Sequence, residues 1–132
     1  MDKPVVLILE DEAVIRMGAI HIVEDAGFAV VEARNADEAI EILERRRDIQ
    51  AVFSDIRMSG LMDGFKLAHA IRGRWPPIHL LLTSGTIVPD DMKLPANSRF
   101  IRKPYSPEQI AAALRELFGT GPGSGRINVA AA

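Results

Sequence analysis

The chain predicts an α/β fold: a doubly wound parallel sheet of five strands with helices on both faces. Three observations carry the prediction. Strand-like and helix-like stretches alternate strictly along the 132 residues. Three of the strand-like runs, starting near Val5, Ala51 and Ile78, are almost wholly apolar, as strands buried on both faces must be. Capping and turn residues punctuate the boundaries between runs. With right-handed crossovers, strict alternation makes this the economical topology.

Val5-Val6-Leu7-Ile8-Leu9 is the first strand and ends on Glu10-Asp11-Glu12. A helix follows with Ile15, Ala19, Ile22 and Ala26 on one stripe, and Gly27 supplies its stop. Phe28 to Ala33 is a weaker strand. Asn35 and Glu38 form a start signal resembling a capping box. The helix they open turns Ala36, Ala39, Ile40 and Leu43 inward, and Arg45-Arg46-Arg47 close it at the negative end of its dipole. Ala51-Val52-Phe53-Ser54-Asp55 is a short apolar strand that ends on a carboxylate.

Asp63-Gly64 opens a third helix, with either Phe65, Ala68 and Ile71 or Leu67 and Ile71 toward the core, and Pro76-Pro77 stop it. Ile78 to Leu82 is the fourth strand, ending on Thr83-Ser84-Gly85. Pro89 and Pro95 leave room between Thr86 and Ser98 for a turn or two at most, so a fourth helix there is expected to be short or irregular. Arg99-Phe100-Ile101-Arg102-Lys103 alternates as an edge strand does. Ser106-Pro107-Glu108-Gln109 is a strong helix start, with Ile110, Ala113, Leu114 and Leu117 inward and Gly119 at the end.

The count is five strands and about five helices. Placing the apolar strands centrally and the weaker ones at the edges gives the flavodoxin-like order 2-1-3-4-5. Residues 1–119 are expected to form the domain. The glycine-rich stretch 120–132 is too short for another and is expected to be a disordered tail, with no output domain on the chain.

Composition narrows the function. At 48% hydrophobic and 26% charged the chain can build one core. Sixteen basic against eighteen acidic residues leave a net charge of −2, which argues against a nucleic-acid partner. The absence of cysteine excludes disulfides, thiolate metal sites and a cysteine nucleophile. Met1-Asp2-Lys3-Pro4 lacks a cationic leader, and the apolar run behind it is too short to span a bilayer. A cytoplasmic protein with no membrane partner is therefore expected.

In a parallel sheet the carboxyl ends of all strands open onto one rim, where such sheets bind ligands. That rim would carry Glu10, Asp11, Glu12, Asp55, Thr83 and Lys103. A strand-end aspartate alone is as well explained as a loop cap; the company Asp55 keeps argues for chemistry. Two unit charges about 5 Å apart repel by roughly 3 kcal/mol at an effective dielectric of 20. A hard divalent cation removes that repulsion, and an all-oxygen donor set suits Mg²⁺. Lys103 and Thr83 offer a cation and a hydroxyl donor for phosphoryl oxygens. The set suits phosphoryl transfer onto a carboxylate, with Asp55 as nucleophile.

Four motifs at the strand ends then carry a resemblance. They are Leu9-Glu10-Asp11-Glu12, the Asp55 strand with Met58-Ser59-Gly60 and Met62-Asp63-Gly64, Leu82-Thr83-Ser84-Gly85, and Lys103-Pro104-Tyr105. From about Val5 to Phe118 the chain resembles the receiver domain of two-component response regulators, of the chemotaxis-type single-domain kind.

The resemblance implies that Asp55 is a phosphoacceptor taking its group from a phosphohistidine on a sensor histidine kinase or phosphotransfer protein. It implies Mg²⁺ held by Asp11 and Asp55, by Glu10 through water, and by the backbone carbonyl of Arg57. It gives Lys103 and Thr83 catalytic parts, Thr83 and Phe100 switch positions, and Pro104 a cis bond to Lys103. It further implies an unidentified downstream protein partner, a monomer or phosphorylation-dependent dimer, and no enzyme activity beyond the receiver's own phosphorylation and dephosphorylation.

Two departures stand out. Ser59 replaces the family's proline and is followed by an extra Leu61, and segment 86–98 is short and proline-broken where the family has a regular helix. Three rival readings exist. A flavin module would need a glycine- and hydroxyl-rich loop where Glu10-Asp11-Glu12 stand. A haloacid-dehalogenase-type phosphatase would need Asp-x-Asp where Asp11-Glu12-Ala13 stand. A degenerate, non-phosphorylated receiver serving only as a docking module is the third, but no acceptor-site residue is missing. His21, His69 and His79 read as surface or core histidines and Trp75 as a loop anchor.

Overall fold

The computed structural model describes residues 3–56, 61–85 and 93–119, the first three residues of its third helix by backbone alone. Five strands, β1 (Val5–Leu9), β2 (Ala29–Ala33), β3 (Ile49–Asp55), β4 (His79–Ser84) and β5 (Ser98–Arg102), form one parallel sheet in the order β2-β1-β3-β4-β5. Four helices accompany them among the described residues: α1 (Ala13–Asp25), α2 (Ala36–Arg45), α3 (Leu61–Arg74) and α4 (Pro107–Phe118). The doubly wound, flavodoxin-like prediction holds in strand order and in the placing of the weaker strands at the edges. Residues 86–92, most of the segment 86–98 in which the short or irregular fourth helix is expected, lie outside the described residues, as do Arg57, Met58-Ser59-Gly60 and the tail 120–132. Residues 93–97, at the end of the segment expected to be irregular, contain no helix.

Side chains alternate across the sheet and so build two cores. Leu7, Leu9, Val52, Leu80 and Leu82 face α2 and α3. Val6, Ile8, Phe53 and Leu81 face α1 and α4. Burying each such side chain contributes about 1.5–3 kcal/mol, which is why the three apolar strands take the centre. The pairing of β1 with β3 shifts between Val5 and Val6, so Val5 faces Ile49 while Val6 faces Ala51. Gln50, passed over, stays exposed.

The helices differ from expectation in detail. In α1 the fully buried residues are Ala19 and Val23, with Ile22 and Ala26 only partly covered. The inward stripe is turned because α1 must meet α4 as well as the sheet. In α2, Asn35 accepts from the Glu38 N–H as the cap signal predicts, and Ile42 joins Ala39 and Leu43 inside. The start of α4 is a full capping box: Ser106 accepts from the Gln109 N–H, and the Gln109 side chain accepts from the Ser106 N–H. Beyond α3, Arg72 donates to the carbonyls of Pro76, Ile78 and Ala96, tying residues 93–97 to that helix. No helix among the described residues is long and apolar enough to cross a membrane.

Candidate functional site

The carboxyl ends of β1, β3, β4 and β5 meet at one rim. Glu10 follows β1, Asp55 ends β3, Thr83 lies opposite it in β4, and Lys103 follows β5. All four stand on the side of the sheet that faces α1 and α4, continuing the alternation of Ile8, Phe53, Leu81 and Ile101. Glu10, Asp55 and Thr83 are buried, at 5%, 7% and 2% exposure. Such burial of charge needs pairing. Lys103 supplies it, its Nζ lying 2.7 Å from Asp55 Oδ2 and 3.8 Å from Glu10 Oε1.

Gly64 is part of what builds the Asp55 end. A Cβ there would run into the Ile56 carbonyl first and come within 2.6 Å of the Asp55 carbonyl oxygen, so only glycine lets α3 lie this close behind the end of β3. Ser54 Oγ donates to the Asp55 carbonyl at 3.0 Å, and the Ile56 N–H donates to the Thr83 carbonyl at 2.8 Å, extending the β3–β4 pairing past the carboxylate.

Electrostatics follow from this burial. Burial pushes the Glu10 carboxyl above its usual range, against the opposing pull of the Glu12 N–H and Lys103. For Lys103, burial pushes downward, but the Asp55 hydrogen bond and the charges of Asp55 and Glu10 outweigh it and raise the ammonium. The lysine therefore stays charged through the physiological range.

The Glu10, Asp11 and Glu12 carboxylates can bring one oxygen each within 4.8 Å of one another. Asp11 and Glu12 are exposed and Glu10 is buried. Three hard oxygen donors at this spacing fit a small divalent cation such as Mg²⁺ better than they fit each other. Thr83 Oγ1 is buried and has no hydrogen-bond partner among the described residues. A buried hydroxyl left this way is costly and fits a polar group that arrives later. An open groove of about 510 Å³, lined by Ile15, Gly85, Lys103, Pro104 and Tyr105, leads to the rim.

Of the residues singled out from the sequence, Glu10, Asp11, Asp55, Thr83 and Lys103 are brought to this rim. The Lys103–Pro104 bond is cis. Phe100 is elsewhere: one register position from Thr83's partner, half-buried against the core that faces α2 and α3. The Arg57 carbonyl lies outside the described residues. Glu12, also expected at the rim, is there in the triad; Gly64 was named only for its helix start and motif, and Arg16 was missed. Arg16 had left a signal, since a cation in the first turns of a helix opposes the helix dipole and asks for a reason.

Comparison with known proteins agrees with the fold. The family model of the response regulator receiver domain matches residues 6–115, and the chain belongs to that family. It is thus a receiver domain of two-component signalling. It is 34% identical over 116 residues to the sensor kinase CckA of Brucella abortus (strain 2308), a match covering 85% of this chain and 12% of that protein. Over 131 residues it is 30% identical to the aerobic respiration control protein ArcA of Escherichia coli (strain K12), covering 97% of this chain and 54% of that one. The chain therefore spans about half or less of these relatives. Among solved structures, a response regulator receiver protein from Sinorhizobium medicae WSM419 superposes with a TM-score of 0.78 at 27% identity, covering 87% of this chain and 94% of that one.

Proposed function

We propose that this receiver takes a phosphoryl group onto Asp55 from a phosphohistidine of a sensor histidine kinase or phosphotransfer protein, and that the phosphorylated state changes which protein it binds. One observation carries the reading: the Asp55 carboxylate, held at 2.7 Å by Lys103, beside an acidic triad and a Thr83 hydroxyl with no partner among the described residues. A docking module with no chemistry has no use for carboxylates buried at such cost.

An Asp55 carboxylate oxygen attacks phosphorus. The new O–P bond forms as the donor's N–P bond breaks, and the electron pair leaves on the imidazole nitrogen. Lys103 holds the phosphoryl oxygens as its contact with Asp55 loosens, and Thr83 Oγ1 donates the hydrogen bond it now lacks. Asp11 and Asp55, with Glu10 through water, would hold Mg²⁺, which would supply charge neutralisation for the phosphoryl oxygens. Return of the group to water regenerates Asp55, so the only reactions are the receiver's own. The donor would arrive over α1, whose Ile15 lines the groove and whose Val14 and Met17 are 83% and 59% exposed.

Intact-mass spectrometry after incubation with acetyl phosphate and Mg²⁺ tests the reading. The wild type should gain one phosphoryl group and Asp55→Asn none. An unmodified wild type would leave the docking module as the better account.

A further inference from the structure

The acidic rim has a support that none of its own members provides. Arg16, in the first turns of α1, reaches back across the start of the helix. Its Nη1 donates to the Glu10 carbonyl at 2.8 Å and its Nε to Glu32 Oε1 on β2 at 2.9 Å. The guanidinium side chain is only 11% exposed. The Glu10 N–H is meanwhile held by the Ala33 carbonyl at 3.2 Å, and Glu10 Oε2 by the Glu12 N–H at 3.1 Å. Both ends of the Glu10 backbone are therefore pinned. Asp11 follows directly, exposed, with its carboxylate in the triad.

We propose that Arg16 is a positioning residue for cation binding at this rim. By fixing the Glu10 carbonyl it fixes the Glu10–Asp11 peptide plane, and so the direction in which Asp11 leaves the strand. Glu32 holds the guanidinium in place and offsets its charge. The inference rests on the Mg²⁺ reading above. It also runs against simple electrostatics, and that makes it testable. Removing a positive charge near a divalent cation should tighten binding, whereas removing the support should weaken it.

Calorimetric titration of the full chain with Mg²⁺ separates the two. Arg16→Met should weaken Mg²⁺ binding by about tenfold, the scale of losing a group that orients a metal ligand. Glu32→Gln, which leaves the guanidinium on the carbonyl, should weaken it far less. Arg16→Lys, which keeps one donor for the carbonyl, should fall between Arg16→Met and the wild type. Thermal melts in metal-free buffer report any general loss of stability separately, since instability alone does not change the affinity of the folded protein. Should Arg16→Met fail to fold, Arg16→Lys decides by the same sign. Binding by Arg16→Met and Arg16→Lys as tight as the wild type, or tighter, would overturn the proposal. A wild type that takes up no Mg²⁺ would instead remove the reading beneath it.

Discussion

Lys103 sits where two buried carboxylates would otherwise face each other, 2.7 Å from one and 3.8 Å from the other. Removing one partner of a buried pair costs several kcal/mol, and the 24% exposure of the Lys103 side chain discounts that through solvent screening. Lys103→Met should therefore lower stability by about 1–3 kcal/mol in metal-free buffer. Added Mg²⁺ should restore more stability to the variant than it gives the wild type, because the ion takes over the lost charge. Equal responses in urea melts would mean that the ion and the ammonium do not share these carboxylates.

His79 offers a pH test away from the rim. Burial, then the charge of Arg72, push its imidazole below the usual range. The unfolded chain then binds the proton more readily than the folded one. Stability should thus be full above the unfolded imidazole's value of about 6.5 and fall as pH drops through and below it. His79→Leu, which keeps an apolar contact for Phe118, should lose less stability than the wild type between neutral and mildly acidic pH. Parallel losses would place the cause elsewhere. Residues such as Asp55 and Lys103 were legible because strand ends announce themselves. Arg16 left only the weak signal of a cation against the helix dipole, because a side chain serving a backbone carbonyl leaves no partner to find in the sequence.

Among the elements, α4 and α3 show two ways a local signal becomes structure. The Ser106 and Gln109 box satisfies backbone N–H groups that a helix start leaves open. Ser106→Ala should cost about 1 kcal/mol, read as a lower urea midpoint with unchanged slope. Gly64 does the opposite work: it makes room rather than bonds. Gly64→Ala forces a methyl against the Ile56 and Asp55 carbonyls and should cost about 1–3 kcal/mol, as overpacking does. It should also slow phosphorylation, since α3 can yield only by moving the end of β3. A stable variant phosphorylated at the wild-type rate would show that this approach is dispensable. The capping box was legible because it is local. The role of Gly64 was not, because it depends on a strand met only after folding.

At the scale of the molecule, the fold is legible because three apolar strands must be central and two weaker ones can only be edges. The rim follows from that topology without further information, since parallel strands deliver all their carboxyl ends to one side. What pattern alone cannot supply is rotation about a helix axis: α1 turns Val23 inward because α4 arrives late in the chain to pack against it. A ligand that binds only the folded rim stabilises the whole molecule by mass action, by about 2.7 kcal/mol at one hundred times its dissociation constant. Mg²⁺ should accordingly raise the melting temperature of the wild type, and Asp11→Asn should lose most of that rise.

The central claim is that one buried carboxylate, Asp55, carries the phosphoryl group. Reducing the acetyl-phosphate-treated protein with borohydride converts an aspartyl phosphate to homoserine, and peptide mapping then locates it. Homoserine at position 55 and at no other position is the expected result. Homoserine at Asp11, or at no position in a protein that has gained a phosphoryl group, would contradict the account.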